Sequence, residues 1–369
     1  MLRTRGARFI GAALTATALS VAAALPAQAA SSTGWRVVSA RHFGAAGLSN
    51  YLYTVVAPTA SDAWAFGSSQ APGATPAGGP ITEHWNGTSW QGSPLVSGLS
   101  GNIDAASAPS ATDVWAVTDA TGYVLHYNGT KWSVAKKFPE PTGGLAQELT
   151  GVTAFSPTNV WVFGSAGAGP GLGTWHLQGT TWTQVTGTGD EIATASALSP
   201  TDIWAVAGDS NAPQDIIVHY NGSAWTQATS AALDGVQFSP SIVALSATNV
   251  WAPGSVSNGT ANVPYLLHMS GTTWTRVAIP WALNLSRIAP DGSGGLWITA
   301  STLATTGNQW WVLHRTKAGK WSRTQISPSD QVFDITLAPG TTSMWGTGWT
   351  PTKSGTGSNA AIWAYGALP

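Results

Sequence analysis

Past its first 30 residues, this chain alternates apolar and polar positions in short runs. Gly, Pro, Asn, Asp and Ser break the runs, and no useful length keeps an apolar period near 3.6. That pattern predicts strands and no helices. Four runs follow one another in a fixed order, as in V-T-A-F (152–155), V-W-V-F (160–163), W-H-L (175–177) and W-T-Q-V (182–185). Ser-Pro-Thr-Asp/Asn separates the first two runs, with Pro presetting φ and the Asx side chain placed to bond nearby backbone amides. Asn-Gly or a similar pair separates the last two, which is a strong hairpin signal.

The four-run unit repeats along the chain. Its first tryptophan recurs at Trp64, Trp115, Trp161, Trp204, Trp251, Trp297 and Trp345, at intervals of 43 to 51 residues. Its second recurs at Trp90, Trp132, Trp182, Trp225, Trp274 and Trp321, and a histidine recurs at His84, His126, His176, His219, His268 and His314. The seventh unit stops after its third run, 361–365, and the missing fourth run is found at 33–38, around Trp35. Four antiparallel strands at this spacing make a propeller blade. The expected fold is therefore all-β, a seven-bladed β-propeller over residues 30–369, closed by an N-terminal strand that completes the last blade and removes an exposed sheet edge. A linear solenoid would instead need polar caps at both ends.

The pairing of D/N-V-W-A-V with L-H-Y-N-G-T-x-W-T-x-V resembles the repeats of tectonin-type lectins. It is also similar to kelch and galactose-oxidase propellers and, through the turn before the second Trp, to Asp-box repeats. The resemblance covers essentially all of the chain after the leader and implies a propeller fold and, through the tectonin-like relatives, sugar binding. Galactose oxidase relies on a cross-linked cysteine. This chain has none, so that copper-radical activity is not expected.

Composition narrows the function further. Only 8% of residues are charged, where roughly 25% is usual, and 21 tryptophans offer ample surface for burial, so disorder is excluded. A formal charge of −1 leaves no basic footprint for nucleic acid. Residues 1–29 combine Arg3, Arg5 and Arg8, an apolar Ala-rich run and the small-residue site Ala27-Gln28-Ala29, which reads as a secretory signal peptide. The expected product is a secreted monomer with no membrane span after cleavage, no cofactor and no metal.

Six equivalent histidines spread around a ring stand too far apart to share a metal, and they read as structural, packed on the adjacent Trp. Asn86, Asn128 and Asn221 fit the N-x-S/T pattern, but hairpin chemistry accounts for them as well. Candidate ligand residues are sought where the repeat breaks, on the face carrying the irregular second-to-third-run and unit-to-unit loops. Trp281, Trp310 and Trp349 lie out of register in one sector of that face. The aligned first-run position holds Thr54, Ala105, Gly151, Thr194 and Ser241 in five units but Arg287 and Asp334 in the last two. That pair is either a salt bridge locking the seam or, with Asn284, a set of hydroxyl-binding groups beside the aromatic sector. Tyr51, Tyr53, Asp104, Glu148 and Glu191 are further candidates at the mouth. The expected function is non-enzymatic carbohydrate recognition. The alternatives are a carbohydrate-active hydrolase or lyase using a carboxyl pair such as Asp104 and Glu148, or Asp190 and Glu191, and a scaffold that binds an extracellular protein. No catalytic residue is assigned.

Overall fold

The short alternating runs fold as strands. In the computed structural model, residues 34–71, 79–119, 121–138, 148–164, 172–185, 191–208, 215–302 and 309–368 are described, and they contain strands and turns but no helix. The predicted leader 1–29 and Asp190 lie outside them. Ile103–Ser110, Asp113–Thr118, Tyr123–Tyr127 and Trp132–Lys137 form a four-stranded antiparallel sheet in chain order. The sheets that begin with Leu149–Ser156, Glu191–Ser199 and Leu283–Pro290 repeat this order. In the fifth unit the first strand is split into Val236–Phe238 and Val243–Ser246, giving five strands.

The largest sheet has eight strands and consists of the last unit and the first. Gln331–Leu337, Met344–Pro351 and Ser358–Tyr365 pair in order, and Arg36–Arg41 lies antiparallel on Ser358–Tyr365 as their fourth strand. Ser49–Thr59, Asp62–Gln70, Gly79–Trp85 and Trp90–Gly92 continue the sheet through one parallel residue pair, Ser49 with Ser358. Arg41 holds this junction from the other side. It donates to the Trp90 carbonyl at 3.0 Å and pairs with the buried Glu83 carboxylate at 3.6 Å.

The core lies between sheets rather than within them. One apolar cluster joins each unit to its successor, and a further cluster joins Leu52, Trp85 and Trp90 of the first unit to Trp345 and Ile362 of the last. The second Trp of a unit meets the first Trp of the preceding unit edge to face: Trp132 on Trp64 at 5.4 Å, Trp225 on Trp161 at 6.2 Å and Trp274 on Trp204 at 6.1 Å. The same contact recurs between Trp90 and Trp345 at 5.0 Å and between Trp35 and Trp297 at 5.6 Å. Trp35 thus occupies the second-Trp place of the unit whose strand it precedes.

The recurring histidines have one structural task. Each ring stacks on the first Trp of its own unit at 3.6 to 4.2 Å. Each Nε2 bonds an Asp or Asn oxygen, that of Asp62, Asp113, Asn159, Asp202, Asn249 or Asp291, at 2.8 to 3.1 Å. In three units the same oxygen-bearing side chain also accepts the indole N–H. In the sixth unit the Asx side chain bonds nearby amides as expected, Asp291 Oδ1 accepting from Ser293 N–H and Gly295 N–H at 2.7 Å, whereas in other units the turn amide is met by a hydroxyl, as in Thr158 N–H to Ser156 Oγ at 3.3 Å. Burial holds His176 and His268 below the usual histidine range, with Arg315 adding to the effect at His268. Both therefore contribute stability above the usual range that is lost as pH falls.

The triad predicts that Asp113→Ala, which strips Trp115 Nε1 and His126 Nε2 of their shared acceptor, lowers unfolding free energy by about 1–3 kcal/mol. Denaturant unfolding at neutral pH checks this, and an unchanged midpoint would contradict it.

Candidate functional site

The first strands of all seven units border one central cavity of about 190 Å³. The aligned positions Thr54, Ala105, Gly151, Thr194, Ser241, Arg287 and Asp334 all line it. One residue before this position the ladder slips by a bulge in most units: at Tyr53, Asp104, Thr150, Ala193 and Phe333. A bulge turns a side chain out of the regular alternation. Two opposed glycines accommodate it. A Cβ at Gly67 would sit 1.8 Å from the Tyr51 carbonyl oxygen, and one at Gly348 would sit 1.8 Å from that of Gln331.

Two of those bulges, at Tyr53 and Phe333, contribute to an aromatic wall next to the cavity-lining Thr54 and Asp334. Tyr51 and Tyr53 stack at 5.9 Å and 24°, and Phe333 lies 5.4 Å from Tyr53 at 37°. Trp349 meets Tyr51 edge-on at 6.2 Å, its indole N–H donating to Gln331 Oε1 at 2.8 Å, and Trp310 meets Phe333 at 6.4 Å. All five rings are partly exposed. Phe333 and Gln331 were not anticipated from sequence. Phe333 stands one place before Asp334, as Tyr53 stands one place before Thr54, and only the bulge reveals the shared role.

A chain of polar groups leads from the wall to Asp119, and Asp104 lines the cavity beside it. Gln70 donates to the Tyr53 hydroxyl at 3.2 Å and to Asn102 Oδ1 at 3.1 Å, and Asn102 in turn donates to Asp119. Burial, with the Asp104 charge nearby, pushes the Tyr53 hydroxyl up to about 12. Asp104 lines the cavity with a buried Oδ1 that has no hydrogen-bond partner. Its burial, joined by the charges of Asp119 and Glu148 and opposed by Arg287, pushes its carboxyl up to about 7. Glu191 is raised by burial and by the charges of Asp215 and Glu148. Among the described residues no cluster of His, Asp and Glu is suited to hold a metal ion.

The remaining candidates divide. Trp310 and Trp349 join the wall, but Trp281 stands apart from it: its ring meets Trp321 at 6.4 Å and lies under the Arg323 guanidinium at 5.0 Å. Asn284 lines a separate small recess with Ser239, Ser255 and Asn262. Arg287 and Asp334 share the cavity, and no salt bridge, the first of the two alternatives, joins them. Arg287 donates to the Pro240 carbonyl, whereas the half-buried Asp334 carboxylate accepts from Val55 N–H and from the Thr54 hydroxyl, both at 3.1 Å. Asp334 therefore fastens the last unit to the first, the place that Ser107, Ser196 and Ser241 hold between other neighbours.

No protein-family model matches this chain, and no curated protein matches it by sequence. Its structure is similar to YCF48 from Cyanidioschyzon merolae, at 13% identity and a TM-score of 0.57 over 90% of this chain and 98% of that one. It is also similar to a catalytically inactive virginiamycin B lyase from Staphylococcus aureus with quinupristin, at 11% identity and a TM-score of 0.58 over 89% and 99%. A third similar structure is the RRP9 WD40 repeats, at 10% identity and a TM-score of 0.54 over 90% and 97%. This is a β-propeller repeat protein. Likeness at such low identity speaks to the fold alone.

Because Asp104 is raised in the folded chain, the stability it contributes below its ordinary range, near pH 4, is lost as pH rises through about 7. Asp104→Asn should accordingly unfold at higher denaturant than the parent at about pH 8, with the gap closing toward about pH 4. Paired unfolding curves test this, and a gap that does not change with pH would contradict it.

Proposed function

We propose that this chain is a secreted, seven-bladed β-propeller, closed by its N-terminal strand, that binds carbohydrate at the mouth of its central cavity without transforming it. The eight-stranded sheet counts as two blades bridged by a single residue pair, so the six sheets amount to seven units. Export rests on the three-part leader in residues 1–29.

One observation carries the binding reading: the partly exposed aromatic wall of Tyr51, Tyr53, Phe333, Trp310 and Trp349. Aromatic side chains left at a surface bring a large apolar face together with polar handles, which suits ligands with both C–H faces and hydroxyls. Gln70, Gln331 and Asn102 stand beside the rings as hydrogen-bonding groups. A hydrolytic reading has one point in its favour, that Asp104 is displaced toward neutrality near a second acid, Glu148.

Replacing Tyr51, Trp310 and Trp349 together by Ala should weaken glycan binding by tenfold or more, roughly 1.4 kcal/mol, while the unfolding midpoint moves little. A glycan array followed by calorimetry measures this, and undiminished binding would remove the lectin reading. Incubating the parent protein with a polysaccharide panel should release no new reducing ends or unsaturated products. Their appearance would favour the hydrolase or lyase instead.

A further inference from the structure

We infer that the outer edge of the sixth unit is a binding surface separate from the mouth, and that it takes a strand of polyuronate, a glycan whose pyranose rings each carry a carboxylate. Arg323 receives a carboxylate there, and the indoles beside it receive the sugar.

The repeat departs from its own pattern at this place. In five units the second tryptophan meets the first tryptophan of the preceding unit. In the sixth, the Arg315 guanidinium lies over Trp251 at 4.9 Å, and the second tryptophan, Trp321, meets Trp281 at 6.4 Å and 88°. Arg323 stands between two rings, over Trp311 at 4.4 Å and over Trp281 at 5.0 Å. The three indoles Trp281, Trp311 and Trp321 are partly exposed, and Arg323 is exposed. Among the described residues its guanidinium makes no hydrogen bond and no ion pair, so stacking alone holds it. A stacked guanidinium keeps its in-plane N–H fork for a planar anion, and a carboxylate matches that fork.

Charge complementarity selects the occupant. The outer strands of the seven units contain six Lys and Arg and no Asp or Glu. Residues 235–369 hold seven Lys and Arg against three Asp, of which Asp291 is bonded to His314 and Asp334 to the first unit. Lys317 and Lys320, both exposed, lie in the hairpin that leads into Trp321. The flanking units repeat the charge. Arg276 and Arg36, on the outer strands of the fifth and last units, are anchored to the backbone carbonyls of Ala232 and Gly366, which leave a guanidinium its charge. Arginine recurring on three successive outer strands fits a polymer of regular negative charge, and the indoles fit sugar rings rather than an acidic peptide as its backbone.

The test is titration calorimetry of the full secreted chain at neutral pH with three oligomers of equal length: oligogalacturonate, its methyl ester and oligoglutamate. Oligogalacturonate should bind at least about tenfold more tightly than either other, and several-fold less tightly as salt rises from roughly 0.05 to 0.5 M. Arg323→Gln should weaken its binding by about tenfold or more with the unfolding midpoint little changed, and Arg323→Lys should recover only part of the loss. The variant lacking Tyr51, Trp310 and Trp349 should bind it as the parent does. No binding of oligogalacturonate, equal binding of the ester or of oligoglutamate, or binding that survives Arg323→Gln would overturn this inference. Binding lost in the triple variant instead would place the anion at the mouth, overturning this inference and leaving the lectin reading standing. Binding that depends on Arg323 while no glycan depends on the mouth would leave this surface standing and remove the lectin reading there.

Discussion

No sheet of this protein can bury its own tryptophans. A four-stranded sheet has two faces, and here the indole at the end of five units reaches across to meet, edge to face, the indole that opens the strand ladder of the unit before it. The stack is held upright from within by a histidine laid flat on that first indole and bonded to an Asp or Asn. Such an arrangement has no stable terminal member, because a terminal unit would leave one aromatic face in water. The contacts between the ends of the chain use the same terms as other interfaces: Trp90 on Trp345, Trp35 on Trp297, and Asp334 in the task that serine performs elsewhere.

The same geometry makes the mouth. Bringing the first strands together around a narrow cavity leaves little room for side chains, and the recurring bulge relieves the crowding by turning one residue per strand toward the loop face. Two of the five units bulged at that place spend it on a small residue, Ala193 or Thr150. In the other three the place holds Tyr53, Asp104 and Phe333, which belong to the first, second and last units. The glycines opposite, Gly67 and Gly348, show how tightly backbone approaches backbone there.

Much of the architecture was legible because it is periodic. The two Trp positions, the Asn-Gly hairpins and the displaced fourth run around Trp35 each predicted a feature that the strand pairing bears out, and aligning first strands on their tryptophans brought seven residues to one cavity. What escaped was whatever depends on register within a strand. The bulge shifts which side chain looks into the mouth by one residue, so Phe333 was passed over in favour of Asp334, which is committed to the seam. Trp281 was assigned to the same loop face as Trp310 and Trp349, but its neighbour in space is the outer-strand Trp321, a contact that no spacing along the chain encodes. The Asx residues were assigned to their own turn because local bonding is the default for that side chain. The histidine opposite, 13 to 23 residues away, is the partner common to all six, and Asp291 meets it while also bonding its own turn amides.

Closure by the first strand is the claim on which the placement of wall, cavity and carboxylates depends. Ala40 and Ala361 face one another across the pairing of Arg36–Arg41 with Ser358–Tyr365. The chain contains no cysteine, so an Ala40→Cys/Ala361→Cys variant offers a single possible intramolecular disulfide. Mild oxidation should form that bridge nearly quantitatively in the monomer and raise the unfolding temperature by several degrees, on the order of 2–4 kcal/mol for a loop this long. Thiols that stay free under native conditions, or cross-link only between molecules, would contradict the account.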